Sequence, residues 1–223
     1  MELLSVNVGR RTAAEYTNAP SGRTGIDKRP VHGPVRVSAP GAKGVGGSGV
    51  AGDEISDLRH HGGNDQAVYA YAREDLDRWE RTLGRVLPDG SFGENLTTSG
   101  VDVNGAKIGE RWRIGADLLL EVTSGRIPCR TFQGHLDEKG WVKRFTEGDA
   151  PGAYLRVIEP GEIRAGDRIE IVHRPEHEVT VGLQFRAVTT EKALLPRLLA
   201  AGDALHPETA ERARRYLAVT RSH

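Results

Sequence analysis

Seven short runs rich in Val, Ile and aromatic residues, set apart by turn residues, constrain this chain more than any other feature. They are Leu3–Val8, Pro34–Ser38, Ala67–Ala72, Arg111–Ile114, Leu118–Thr123, Tyr154–Ile158 and Arg168–His173. β-Branched and aromatic side chains suit a pleated, half-buried surface, and flanking Gly, Pro, Asn and Asp end the extended run. The 223 residues include 28 glycines and 11 prolines, so turns are frequent and strands must be short. Short strands at this spacing favour a barrel or sandwich over a parallel sheet with a helix at every crossover. The expected fold class is mainly β with α (α+β).

One helix interrupts the strands. Arg73–Leu83 puts Leu76, Trp79 and Leu83 on one face at three- and four-residue spacing. Glu74 with Arg78 and Asp77 with Arg81 have the favourable order for i,i+4 pairs, and Gly84 suits the left-handed residue after a helix. Composition changes near residue 175. Beyond Glu191 the chain is helical in character, with Pro196 and Pro207 fitting first-turn positions. The expected division is a β-rich body over 1–175 and a small helical appendage over 176–223.

Net charge bounds the partners. The 31 basic and 31 acidic residues cancel, which argues against a bulk electrostatic grip on a nucleic-acid polymer or an anionic membrane. Met1–Val8 lacks the basic and apolar regions of a signal peptide, and no apolar run approaches the ~20 residues that span a bilayer. A cytoplasmic location is expected. A single cysteine, Cys129, excludes an intrachain disulfide and an iron–sulfur cluster.

Five segments carry candidate chemistry. Gly44-Val45-Gly46-Gly47-Ser48-Gly49 matches GxGxxG but neither leaves a strand directly nor opens an amphipathic helix, so it is expected to be a surface loop. His60-His61-Gly62-Gly63 is a sharp turn. It fits surface histidines or an imidazole presented to a cleft. Phe92-Gly93-Glu94-Asn95-Leu96 holds a carboxylate and an amide between apolar anchors. Glu94 fits an acid raised toward neutrality or a side chain satisfying a turn. Thr24-Gly25-Ile26-Asp27-Lys28-Arg29 offers a hydroxyl, amides and cations, suited to a phosphate or to a solvated basic loop. Cys129 lies between Arg126 and Arg130, and nearby guanidinium charge favours the reactive thiolate. A small buried hydrophobe is the alternative.

Taken in order, these segments resemble the MOSC domain, named for the C-terminal part of molybdenum cofactor sulfurases, in its YiiM-like branch. The resemblance runs through Thr24–Val31, Gly52-Asp53, Asp57, His61-Gly62-Gly63, Asp65–Tyr71, Phe92–Leu96, Arg126-Ile127-Pro128-Cys129 and Gly152–Val157. It departs at Ser124-Gly125, where the family usually has Gln-Pro, so the backbone before Arg126 is freer than proline would leave it. The resemblance implies a β-barrel body with peripheral helices and a three-helix C-terminal appendage. It also implies a molybdenum cofactor (molybdopterin) ligated by Cys129. The implied enzyme is a molybdenum-dependent oxidoreductase that reduces N-hydroxylated compounds: hydroxylaminopurines, amidoximes and hydroxylamines. On that basis Arg126, Thr24 and Lys28 are candidates for the cofactor phosphate. His61 and Glu94 are candidates for proton delivery, and Asn95 for orientation. Electrons must come from an external flavin or iron–sulfur reductase. No motif marks a Schiff-base lysine, so pyridoxal phosphate is not assigned. Two other readings stay open: a sulfur carrier holding a Cys129 persulfide, and a non-catalytic module that binds pterin or a partner.

Overall fold

The computed structural model describes residues 1–221. Its strands are β1 (Glu2–Gly9), β2 (Thr12–Ala13), β3 (Arg23–Thr24), β4 (Lys28–Pro30), β5 (Val35–Val37), β6 (Val68–Ala72), β7 (Leu96–Ser99), β8 (Arg111–Ile114), β9 (Leu118–Gly125), β10 (Ala153–Glu159), β11 (Gly161–Ile163) and β12 (Ile169–His173). The α-helices are α1 (Arg73–Leu83), α2 (Arg130–Leu136), α3 (Trp141–Glu147), α4 (Val181–Thr189) and α5 (Pro207–Arg221).

Eight strands form one mixed sheet in the order β12-β8-β9-β10-β6-β7-β1-β4. Its pairings are antiparallel except β6 with β7. A parallel pair needs a crossover, and α1 supplies it. The sheet curls until its β12 edge returns to β1. Leu3 N donates to Asp167 O at 2.9 Å and Gly166 N to Leu3 O at 2.8 Å, around a single bridge between Glu2 and Arg168. The expected barrel is therefore a curled open sheet, because β1 shares one edge between two partners. Its first residues meet the segment before β12, and Asn7–Gly9 pair with β4. No continuous ladder runs round the circumference.

The interior of the curl is aliphatic: Leu3, Val6, Val68, Leu96, Leu120, Val122, Leu155 and Ile169 are all buried, with Trp112 among them. Val181, Leu195, Leu198 and Ala213 of the C-terminal segment belong to the same core. A second, aromatic cluster lies outside the sheet and is assembled from α1, the loop at Phe92, α2 and α3. Trp79 meets Trp141 at 4.7 Å, and Phe132 meets Phe92 at 5.1 Å and Trp141 at 5.5 Å, edge to face. Such pairs add about 0.5–1.5 kcal/mol each beyond area burial. Through Phe132 they tie down α2, which begins just after Cys129.

The helix α1 spans the residues its periodicity predicts. Gly84 closes it in the left-handed region (φ 66°), with its amide on Glu80 O. The predicted charge pairs are rearranged. Asp77 pairs with Arg73 at 2.6 Å, Arg78 with Asp75 at 3.2 Å, and Glu74 accepts from Ser99 and Gly100. A tertiary partner displaced a local one. Pro196 lies within a 3-10 segment, Lys192–Ala204, broken at Gly202, rather than opening an α-helix. Residues 44–49 form turns and loop, as expected. No helix among the described residues is long and apolar enough to cross a membrane.

Candidate functional site

A cavity of about 480 Å3 opens at one end of the curled sheet. Cys129, Arg126, His61, Thr24, Lys28 and Asn95 all line it. The first two ride on the loop leaving β9, His61 on the turn before β6, Thr24 and Lys28 on β3 and β4, and Asn95 just before β7.

Cys129 is half-buried and occupies the residue before α2, its side chain packed beside the aromatic cluster. Pro128 before it is buried. Of the two flanking arginines only Arg126 turns inward. Arg130 is exposed and is not part of the cavity wall.

Arg126 is the most unusual group in the wall. It is 5% exposed. Its guanidinium lies over the Phe132 ring at 4.2 Å and the Tyr69 ring at 5.1 Å. It donates to Phe92 O, while Nε, fully buried, has no hydrogen-bond partner. No carboxylate pairs with it among the described residues. A guanidinium cannot shed its proton, so this is a buried positive charge with no compensating carboxylate among the described residues.

Lys28 contrasts with it. Its ammonium is paired with the fully buried Asp53 carboxylate. Asp53 also accepts from Gly9 N at 2.9 Å and Asn95 Nδ2 at 2.9 Å. Burial pulls the Lys28 pKa down, while Asp53 opposes the shift. Lys28 is thus charge-compensated within the protein. Asn95 in turn accepts from Tyr69 N at 3.2 Å and donates to Asn7 O at 3.2 Å, which stitches β1, β6 and β7 together beneath the cavity. Thr24 Oγ1 accepts from Ile26 N at 3.2 Å and holds the β3–β4 turn.

Burial, then the Arg126 charge, lowers His61 to about 4. At neutral pH it is an uncharged imidazole, able to exchange hydrogen bonds but not to serve as a stored acid. Glu94 is not in the cavity wall. It is fully buried and accepts from Gly90 N at 2.5 Å, Phe92 N at 2.9 Å and Thr97 Oγ1 at 3.1 Å. Burial raises it to about 7 against those donors. Its placement corrects the expectation of a proton donor facing substrate: Gly93 takes φ 71°, and the carboxylate folds back to close its own turn.

The wall contains groups that sequence reasoning missed. Tyr69 and Tyr154 place phenols beside Arg126, their rings 5.0 Å apart, and Tyr69 donates to Pro151 O at 2.7 Å. Gln184 reaches in from α4. His206, Glu208 and Thr209, at the start of α5, complete the rim. Asp65 ties that rim to the body, meeting Arg156 at 3.0 Å and His206 at 3.5 Å. Only the quoted Tyr69 and Tyr154 stood in segments of interest; nothing local marked Gln184 or His206.

Residues 57–170 match the MOSC domain, about half of the chain. The chain belongs to the MOSC domain family. Among curated relatives, the uncharacterized protein YflK of Bacillus subtilis is 32% identical over 179 residues, covering 80% of this chain and 76% of that protein. A reductase of Gibberella moniliformis is 33% identical over 181 residues, 78% of this chain but only 29% of that longer protein. The crystal structure of YiiM from Geobacillus stearothermophilus superposes with a TM-score of 0.74 at 25% identity, covering 96% of this chain and 97% of that one. The MOSC match ends before α4, so the helices that bring Gln184 and His206 to the cavity lie beyond it, while the YiiM fold extends over them.

Proposed function

We propose that this MOSC protein binds a molybdenum cofactor in the 480 Å3 cavity and reduces small N-hydroxylated compounds. The observation that carries the reading is the unpaired, buried Arg126 guanidinium in the same wall as the chain's one thiol. A buried cation without a carboxylate suits an anionic ligand, and a soft thiolate suits a metal that arrives with sulfur ligands of its own. The fit is one of donor chemistry. Among the described residues no cluster of three His, Cys, Asp or Glu side chains could hold a metal unaided, so most ligands would come with the cofactor. The MOSC membership and the relative named as a reductase support the same reading.

When bound, the group would supply two-electron reduction of an N–O bond. The chain's own residues would do the rest. Cys129 would hold the metal. Arg126 would neutralise the anionic cofactor, with Tyr69 and Phe132 keeping its plane fixed. Lys28, already matched by Asp53, would offer hydrogen bonds rather than net charge. Neutral His61, with one ring N–H and one acceptor nitrogen, would exchange a hydrogen bond with the substrate's N–OH group without carrying positive charge. Electrons would come from an external flavin or iron–sulfur reductase.

The test is to express the chain in a molybdenum-replete host and measure metal and pterin per chain. Reduction of a hydroxylaminopurine by a chemical electron donor is then followed for the parent and Cys129→Ala. Molybdenum near one per chain, lost together with turnover in the variant, is the expected result. A Cys129 persulfide without metal would establish a sulfur carrier instead. An active Cys129→Ala protein would overturn the assignment.

A further inference from the structure

Gly125 ends β9 and is the point where the chain leaves the sheet toward Arg126 and Cys129. Its amide donates to Gln184 Oε1 at 3.0 Å in a buried contact. Space around it is tight: an added β-carbon would stand 3.0 Å from Pro151 Cγ and 3.3 Å from Val181 Cγ1. From here the next backbone anchor is Cys129 O, which accepts from Gln133 N at 3.1 Å. The Arg126–Cys129 loop is therefore held at its two ends.

Gln184 is itself an anomaly. It is 5% exposed, on a stretch of α4 where Val181, Leu183, Phe185 and Ala187 are also buried. A buried amide among apolar neighbours is costly unless its oxygen is used, and the Gly125 amide is the donor that uses it.

We propose that Gln184 is a positioning residue that fixes the Gly125 amide and so sets how Arg126 and Cys129 face the cavity. Through it, the C-terminal helical segment governs the geometry of a loop almost sixty residues earlier. The inference rests on Cys129 acting from this loop, but its test needs neither metal nor turnover. Because Cys129 is the chain's one cysteine, its alkylation by iodoacetamide reports on this loop alone.

Gln184→Met keeps the side-chain length and removes the acceptor, whereas Gln184→Glu keeps the acceptor. The methionine variant should expose the half-buried thiol and alkylate about tenfold faster, the factor expected when a buried donor loses its partner. The glutamate variant also carries a charge into the wall that holds Arg126, so it is read at the Gly125 amide, which should keep its parent-like protection from exchange. A methionine variant indistinguishable from the parent, or a glutamate variant whose Gly125 amide exchanges as fast as the methionine variant's, would overturn the proposal. Should the methionine variant not fold, exchange of the Gly125 amide in the parent protein decides: core-like protection supports the clamp, and random-coil exchange refutes it. Thiol rates and metal content are independent readouts, so either this assignment or the cofactor assignment can fail alone.

Discussion

Replacing Arg126 with methionine separates a charge kept for a ligand from one kept for the fold. In the ligand-free protein the guanidinium is 5% exposed and lacks a carboxylate partner. An uncompensated buried ion costs several kcal/mol even after relaxation. Methionine relieves that cost but gives up two ring contacts, at 4.2 Å to Phe132 and 5.1 Å to Tyr69, worth about 1 kcal/mol each. It also gives up the bond to Phe92 O, about 1.5–3 kcal/mol for a charged donor. These terms nearly cancel. The variant should therefore lie within about 2 kcal/mol of the parent in urea unfolding, a Tm change below about 8 °C for a chain this long. An arginine serving a structural ion pair would instead cost about 3–5 kcal/mol. Affinity for inorganic pyrophosphate, followed by titration calorimetry, should fall by about tenfold or more, the equivalent of one charge-assisted hydrogen bond. Destabilisation above about 3 kcal/mol with unchanged pyrophosphate affinity would refute the assignment of this charge to a ligand.

Three further outcomes follow from the geometry. Asp53→Asn strands the buried Lys28 ammonium and should cost about 3–5 kcal/mol in urea unfolding, with part recovered by adding Lys28→Met; an unchanged midpoint would contradict the pairing. His61 is held neutral down to about 4, below its ordinary 6.5, so the unfolded chain binds one more proton between those values. Stability should then fall as pH drops from 6.5 toward 4, and His61→Gln should remove up to about 3 kcal/mol of that loss; parallel stability–pH curves would speak against burial of the imidazole. Gly152→Ala would set a β-carbon 2.6 Å from the Tyr71 ring at φ 67° and should destabilise by about 2 kcal/mol; a silent substitution would show that this contact can relax.

Elements whose signal is local were legible in the sequence. All seven strand runs fall on observed strands, and α1 occupies its predicted residues, because alternation and helical periodicity are carried within a few neighbouring positions. The helices α2 and α3, seven residues each, are too short for periodicity to stand out, and β2 and β3 have two residues apiece. The aromatic cluster joins Trp79, Phe92, Phe132, Trp141 and Phe145, which no spacing rule connects. The candidate site followed the same division. Cys129 beside an arginine could be singled out from its neighbours, and the family resemblance named Arg126, but the local sequence alone did not say which arginine turns inward. For Glu94 the local sequence offered two readings, an acid raised toward neutrality or a side chain satisfying its own turn. Only the fold showed that the carboxylate turns back onto the Gly90 and Phe92 amides and away from the cavity wall, because the direction of a side chain in a turn depends on what packs around it.

By itself, the amino-acid order determined short strands, one strong helix, a single thiol and a balanced charge. These depend on residue identity and near-neighbour spacing. Tertiary structure alone decided that Lys28 is matched by Asp53 while Arg126 is left unmatched, and that Gln184 and His206 join the same hollow. Those outcomes depend on distances between residues far apart in the chain, and a charge acquires its meaning only from what the fold places beside it.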